Sequence, residues 1–390
     1  MIINLPEDVV KIIETLEQKG HQAYIVGGCV RDSIMGTLPK DWDITTSARP
    51  EEVMELFPKS FGTGVKHGTI TVLINRHGYE VTTYRIDGEY SDNRRPDKVI
   101  FTSNIIEDLS RRDFTVNAIA YNPAKGFVDP FDGRNDIDKK LIRCVGIPRH
   151  RFGEDALRML RALRFAGQLG FFIDKATLRA IAAMSLNIAN ISAERIREEL
   201  VRLLCSPYVK AIKLLETTGL LCNILEYSGD IDKTTELLAA CPEKETLRLA
   251  VFFAYSGHNS LELLRSLRFD NKTIREVFHY ICMLHTPIPH DRYEIKKILR
   301  QIPHELFENL LLLQSLFYPD DTSKLAAIRI EVQDILDKEE CYTLQNLSVK
   351  GKDLITAGFP PGKAVGDKLE GLLDMVMRNP ELNDSLHDFV

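Results

Sequence analysis

Cysteine pairing motifs are missing from this chain. Its seven cysteines are scattered over 390 residues with no Cys-x-x-Cys spacing. A disulfide framework and a zinc–thiolate site are both disfavoured, and the thiols read as small apolar groups of a reduced, cytoplasmic protein. Long apolar runs are missing too. The longest, such as Leu310–Leu313, fall far short of the ~20 residues of a membrane span, so no membrane partner is expected. The N-terminus, Met1-Ile2-Ile3-Asn4-Leu5-Pro6-Glu7, lacks the basic region and apolar run of a signal peptide. Basic excess is absent overall, with 50 Lys+Arg against 56 Asp+Glu and a net charge of −6. That average hides an uneven distribution. Residues 301–390 hold 8 basic and 16 acidic residues, which leaves 42 and 40 in the remaining 300. Lys139 to Arg164 holds eight basic residues (Lys139, Lys140, Arg143, Arg149, Arg151, Arg158, Arg161, Arg164) against only Glu154 and Asp155. One such face is enough to hold a phosphate backbone.

Length and a 44% apolar content suit a globular chain of two to four domains. No internal repeat or low-complexity segment is found, and the oligomeric state is not legible. The first part reads as mixed α/β. Pro6 to Lys19 has helical apolar spacing, Gln22–Val26 is a short strand running into Gly27-Gly28, and a brief helix covers about Val30–Met35. Thr69–Ile74 and Tyr79–Tyr84 read as a hairpin around Asn75-Arg76-His77-Gly78, Asp87–Lys98 as a loop and Val99–Thr102 as a strand. After about Asp136 strand signals nearly vanish. Amphipathic helices are predicted over Ala156–Leu169, Lys175–Met184, Ala193–Leu204, Val209–Thr217, Leu247–Ala254, Ile274–Leu284 and Arg292–Gln301.

Gly27-Gly28-Cys29-Val30-Arg31-Asp32 is followed by Asp41-Trp42-Asp43. On an extended strand residues i and i+2 share a side, so Asp41 and Asp43 would aim two carboxylates at one point. Mg²⁺ is often held by one or two carboxylates plus substrate phosphates, and such metals can activate a hydroxyl and stabilise a leaving pyrophosphate. Gly27 and Gly28 would let the backbone approach a triphosphate, and Arg31 would pair with one of its oxygens. Each element alone also fits a solvated strand face or a tight turn. Together they resemble the polymerase-β nucleotidyltransferase superfamily, and that resemblance implies a third carboxylate on a neighbouring strand. Glu80 is the candidate, with a cross-strand ion pair as its other reading.

Two more motifs bear on specificity, Arg111-Arg112-Asp113-Phe114-Thr115-Val116-Asn117-Ala118 and Glu154-Asp155-Ala156-Leu157-Arg158 running on to Arg161 and Arg164. On a helix Asp155 and Arg158 lie about 60° apart, the geometry of a modest intrahelical salt bridge. A second reading is chemical. A carboxylate accepts hydrogen bonds and a guanidinium donates them. Cytosine and adenine each present an amino donor beside a ring acceptor, which an Asp–Arg pair matches. Uracil and guanine reverse the pattern, at a cost of roughly 1–3 kcal/mol per unmade buried bond. Asp155 and Arg158 could thus admit CTP and ATP without a nucleic-acid template. Arg112 would clamp triphosphate or ribose, with Asp113 or Asn117 on ribose hydroxyls, and helix packing is an equal reading of Asn117. Arg161 and Arg164 either bind phosphates, support the pocket from behind or form a solvated basic face. Glu154 is a weaker candidate beside them.

The order G-G-x-V-R-D, D-x-D, R-R-D-F-T-x-N-A, D-P-F-x-G (Asp129 to Gly133), E-D-x-x-R and I-S-x-E-R-I-x-x-E-L (Ile191 to Leu200) covers about residues 22–200. It resembles class II tRNA nucleotidyltransferases, the CCA-adding enzymes. The resemblance implies an α+β chain: a polymerase-β-like head with a mixed sheet (1–138), then an all-α neck with the nucleotide-recognition motif (139–208), a body (209–320) and a tRNA-binding tail (321–390). It implies Mg²⁺ as cofactor, the tRNA 3′ acceptor end, ATP and CTP as partners, and sequential addition of C, C and A. Residues 220–340 are less distinctive. His290-Asp291 and His387-Asp388 stand isolated, so no HD phosphohydrolase activity is expected. The loop Arg85 to Lys98, with Arg94-Arg95-Pro96, is full length, which favours an enzyme able to add the final A. A poly(A) polymerase or an A-only or CC-only enzyme is the nearest rival, and the acidic C-terminus disfavours the first. A non-catalytic RNA-binding protein is the rival from another class.

Overall fold

The computed structural model describes residues 1–88 and 99–386. Residues 89–98, with Arg94-Arg95-Pro96, and the His387-Asp388 pair therefore lie outside the described residues. The chain divides into two compact units, residues 1–235 with 265–269, and residues 236–264 with 270–390.

The first unit is built on a mixed sheet. Its strands are β1 (Ala23–Val26), β2 (Ile44–Thr46), β3 (Ser60–Gly64), β4 (Thr69–Ile74), β5 (His77–Thr83), β8 (Ala120–Asn122) and β9 (Gly126–Val128), in the order β3-β4-β5-β2-β1-β8-β9. A separate hairpin pairs β6 (Arg85–Asp87) with β7 (Val99–Phe101). Within the seven-stranded sheet of the described residues, β2 and β5 run parallel, with Ile44 opposite Val81, and the other pairs are antiparallel. The hairpin of β4 and β5 is tighter than its sequence suggests. Ile74 pairs with His77, so Asn75-Arg76 alone make the turn, both at positive φ (50° and 68°). That conformation matches the right-handed twist of the flanking strands, and after glycine asparagine is among the residues that tolerate it best.

Helix α1 (Glu7–Gln18) buries Val9, Ile12, Ile13 and Leu16, the stripe its spacing predicts. Helix α2 (Gly28–Ile34) springs directly from β1, α3 (Pro50–Leu56) has Pro50 at its first position, and α4 (Ile105–Ser110) is capped by Asn104. Helix α5 (Gly133–Asp138) follows the D-P-F-x-G motif, which explains that motif in backbone terms. The Asp129 carboxylate accepts from Gly133 N at 2.7 Å and Arg134 N at 2.9 Å.

Beyond α5 the unit is helical: α6 (Pro148–Glu154), α7 (Leu157–Leu169), α8 (Lys175–Met184) and α9 (Ala193–Leu204). One strand pair survives here, β10 (Leu141–Ile142) parallel to β11 (Phe172–Ile173). Two residues per strand are too few to show a period of two in sequence. The span 209–217 begins as a 3₁₀ turn, Val209–Ile212, before its α-helix, Lys213–Thr217.

The second unit is helical. Its core includes Leu347, Leu354, Leu372, Leu373, Val376 and Met377. Asp291 is the N-cap of helix Arg292–Gln301, accepting from Glu294 N at 3.0 Å, a structural use for the isolated His-Asp pair. No helix among the described residues is long and apolar enough to cross a membrane.

Candidate active site

Asp41 and Asp43 lie in the segment that leads into β2, not inside an assigned strand. The ladder still reaches Asp43, whose carbonyl accepts from Val26 N at 3.0 Å. The i, i+2 argument from strand alternation therefore does not apply to Asp41, because its backbone is outside the ladder. Both residues nevertheless line one pocket of ≈ 530 Å³, together with Lys40, Tyr79 and Glu80.

Parallel pairing of β2 with β5 explains Glu80. Asp43 and Glu80 each precede the Ile44–Val81 pair by one residue, so they stand side by side on neighbouring strands. No ion pair of Glu80 is found among the described residues. The Asp43 carboxyl is held above the ordinary carboxylate range by desolvation first, then by the charge of Glu80, with Asp41 adding and Arg112 opposing. Asp43 keeps an open surface, so its charged neighbours are the more informative causes. All three donors are hard oxygens, the set that suits a divalent cation such as Mg²⁺. Among the described residues no three His, Cys, Asp or Glu side chains converge closely enough to hold a metal unaided.

Asp43 also lines a second pocket of ≈ 610 Å³. This one brings together Gly27, Gly28, Arg31, Arg112, Asp113, Asn117, Asp155, Arg158, Arg161 and Arg164, every nucleotide-site candidate except Glu154. Gly27 sits at φ 82°, a backbone conformation that favours glycine, and a Cβ there would lie 3.1 Å from Arg112 Nη1, which would have to give slightly. Arg31 is buried. Its Nη1 donates to Asn117 Oδ1 at 2.5 Å, and Nε and Nη2 donate to Asp32 Oδ1 at 2.9 and 2.7 Å.

Asn117 Nδ2 then donates to Asp113 Oδ1 at 3.2 Å. Arg161 grips the same carboxylate through Oδ2, and its Nη1 reaches Glu199 at 3.4 Å. The Asp113 carboxyl is buried, which alone would raise it, but Arg161, Arg158 and Asn117 bring it down to about 2. Glu199 also meets Arg164 at 2.5 Å, as an ion pair without hydrogen-bond alignment. Burial pushes Arg164 down to about 10 despite Glu199. The Arg164 guanidinium stacks on Phe165 at 3.9 Å, with those of Arg31 and Arg161 at 5.4 Å from the same ring.

Asp155 and Arg158 depart from the single-helix expectation. Helix α6 ends at Glu154 and α7 begins at Leu157, leaving Asp155 extended (φ −144°, ψ 104°). The cause is local: Asp155 Oδ1 accepts from Leu157 N at 3.1 Å, competing with the helix. The intrahelical Asp155–Arg158 salt bridge is not formed. Asp155 pairs with Arg195 at 2.7 Å, and Arg158 pairs with Glu154 at 2.6 Å. Arg158 also donates to the carbonyls of Arg151 and Arg111.

Three residues of this site escaped the sequence reading. Asp108 is fully buried and accepts from Arg111 (2.8 and 3.0 Å), Arg112 (3.3 Å) and Thr45 (3.3 Å). Burial would raise its carboxyl, but Arg112 and Arg111 turn the shift downward. Its i, i+3 and i, i+4 spacing to Arg111 and Arg112 was a usable signal. Arg195 and Glu199 lie within the Ile191–Leu200 motif, whose spacing says nothing about which helix they face.

Three family models match the chain. The poly(A) polymerase head domain covers residues 23–143, the RNA and SrmB binding-site region of polymerase A covers 170–228, and domain 2 of tRNA nucleotidyltransferases covers 242–385. The CCA-adding enzyme of Geobacillus sp. (strain WCH70) is 37% identical over 375 residues, 94% of this chain and 90% of the relative. That of Lactobacillus delbrueckii subsp. bulgaricus (strain ATCC 11842) is 37% identical over 372 residues, 94% and 92% of the two chains. Among solved structures, the Bacillus stearothermophilus CCA-adding enzyme in complex with CTP superposes with a TM-score of 0.82 at 34% identity, covering 95% of this chain and 92% of that one.

Proposed function

The chain belongs to the CCA-adding enzymes, and from that premise we propose how its residues divide the work. It is a nucleotidyltransferase that adds C, C and A in turn to a tRNA 3′ end, using CTP and ATP and no nucleic-acid template. The 3′-hydroxyl attacks the nucleotide α-phosphate and pyrophosphate leaves. Asp41 and Asp43 would hold a divalent metal, magnesium by the hardness of their oxygens, with Glu80 beside Asp43 as the candidate third carboxylate. Bound there, the ion would activate the hydroxyl and neutralise charge on the leaving pyrophosphate.

The rest falls to protein groups. Gly27 and Gly28 admit the triphosphate to the backbone, and Arg31, Arg112, Arg161 and Arg164 balance its charge. Asp113 and Asn117 hold Arg161 and Arg31 in place and face the ribose. Asp155 accepts from the base amino group and Arg158 donates to its ring acceptor, while Glu154 braces Arg158. The functional division is a head (1–138), a neck (139–208), a body (209–320) and a tail (321–390). Seven scattered cysteines with no Cys-x-x-Cys spacing support a reducing, cytoplasmic setting.

One observation carries this reading: Asp43 lines both the carboxylate pocket and the arginine-rich pocket, so metal and nucleotide meet at one residue. The test is extension of tRNA lacking its last three nucleotides with CTP and ATP, with Asp41→Ala as control. Absence of extension by the intact enzyme defeats the reading. A long ladder with ATP alone would mark a poly(A) polymerase, and extension only of tRNA already ending in CC an A-only enzyme. If Arg158→Ala leaves CTP/UTP choice intact, base selection by Asp155 and Arg158 is wrong.

A further inference from the structure

We infer that Arg195 is a positioning residue for base choice, holding the Asp155 carboxylate so that Oδ2 faces the amino group of cytosine or adenine. The inference rests on the base-reading role proposed above for Asp155 and Arg158.

The pairing is two-pronged. Arg195 Nη2 donates to Asp155 Oδ2 at 2.7 Å and Nη1 donates to Oδ1 at 3.3 Å. Two donors to two oxygens of a planar group fix its plane as well as its position. Oδ1 takes a second donor, Leu157 N at 3.1 Å. Oδ2 has Arg195 alone among the described donors, so Oδ2 keeps the more open lone pair toward the pocket that both residues line.

Asp155 needs such a brace. It stands in the break between α6 and α7, on extended backbone rather than within either helix. Arg195 comes from the first turn of α9, a helix anchored by buried Ile196, Leu200, Leu203 and Leu204, so the brace stands on a rigid support.

The arrangement also keeps the two base readers apart. Asp155 and Arg158 are opposite charges three residues apart, and left alone they would satisfy each other. Arg195 takes the carboxylate, while Glu154 and the carbonyls of Arg151 and Arg111 take the guanidinium. Acceptor and donor therefore stay side by side, each held from behind. A site built this way rejects a base with the opposite pattern, because such a base leaves held groups unpaired.

The test measures kcat and KM for CTP, ATP and UTP on tRNA ending before CCA and before A, for wild type, Arg195→Met, Arg195→Lys and Asp155→Ala. Arg195→Met should lower the CTP-over-UTP ratio of kcat/KM by about tenfold or more, against a discrimination that can span several powers of ten. Most of the loss should appear in KM for CTP and ATP. Arg195→Lys, which keeps the charge but not the fork, should fall between wild type and Arg195→Met. Equal loss for all three nucleotides with the ratio intact would mean a merely structural role and overturn the inference. Should Arg195→Met fail to fold, Arg195→Lys decides: an unchanged ratio overturns it and a reduced ratio supports it. If Asp155→Ala leaves the ratio unchanged, the base-reading role itself falls. If Asp155→Ala lowers it and both Arg195 variants do not, only the present inference falls.

Discussion

Arg161 holds the buried carboxylate of Asp113 with two nitrogens of one guanidinium, Nε at 2.9 Å and Nη2 at 2.8 Å. The contact ties the R-R-D motif of the sheet-containing part to helix α7, and it contributes to the acid stability of the first unit. Asp113 titrates at about 2 in the fold against an ordinary 3.8. Its folded value is depressed, so its stabilisation is present above about pH 4 and is lost as pH falls through about 2. Linkage puts this at about 2 kcal/mol. Asp113→Asn should remove that part of the acid slope, seen as a smaller difference between urea midpoints at pH 5 and pH 3 than in wild type.

Asp43 is crowded by Glu80 and Asp41. In chelated protein Asp43→Asn should leave the thermal midpoint unchanged or raise it, because one of three like charges is gone. In wild type, Mg²⁺ added together with CTP should raise the midpoint above that with CTP alone, and in the variant it should not. Addition to tRNA should drop about a thousandfold or more. Thermal scans with and without EDTA, beside primer extension, check both halves.

Gly133 is packed where no side chain fits. A Cβ there would lie 2.2 Å from the Thr115 carbonyl oxygen and 2.8 Å from Ile119. The nearest obstacle is backbone, so Gly133→Ala must displace the 115–119 segment that carries Asn117. It should destabilise the first unit by about 1–3 kcal/mol and raise the nucleotide KM. Urea unfolding and steady-state kinetics read the two effects.

In the second unit Lys296 is fully buried and its ammonium meets Glu340 at 2.6 Å and donates to the Met377 carbonyl at 3.0 Å. Glu340 also accepts from Arg292. Removing the shared acid strands a buried cation, whereas removing the lysine leaves Glu340 its arginine. Glu340→Gln should therefore cost about 3 kcal/mol, and Lys296→Met much less. Tryptophan cannot report this, because the single Trp42 lies in the first unit. Hydrogen exchange of helix 363–378 can.

Much of the fold was legible because it is written in short-range patterns. The α1 stripe, the Gly27-Gly28 turn, Lys175–Met184 and Ala193–Leu204 all follow from local periodicity and caps. Site residues could be named one by one for the same reason. Their partners could not. The sequence pairs Asp155 with Arg158, its neighbour, but folding pairs it with Arg195 on another helix. Asp155 is itself a favoured residue for starting a helix, so the break before α7 was readable from the preference of aspartate for N-terminal caps. Glu199 reads as one more charge on an amphipathic helix until α9 packs on α7 and sets it between Arg161 and Arg164.

The parallel pairing of β2 with β5 has a consequence for the order of assembly. Asp43 and Glu80 become neighbours only when β5 has docked beside β2, two strands that β3 and β4 separate along the chain. Contacts of such separation close late, because the loop entropy must be met first. A nascent or partly unfolded chain would therefore carry Asp41 and Asp43 without Glu80 beside them. Metal affinity at this point would then report completion of the whole sheet, and a half-made head would be chemically silent.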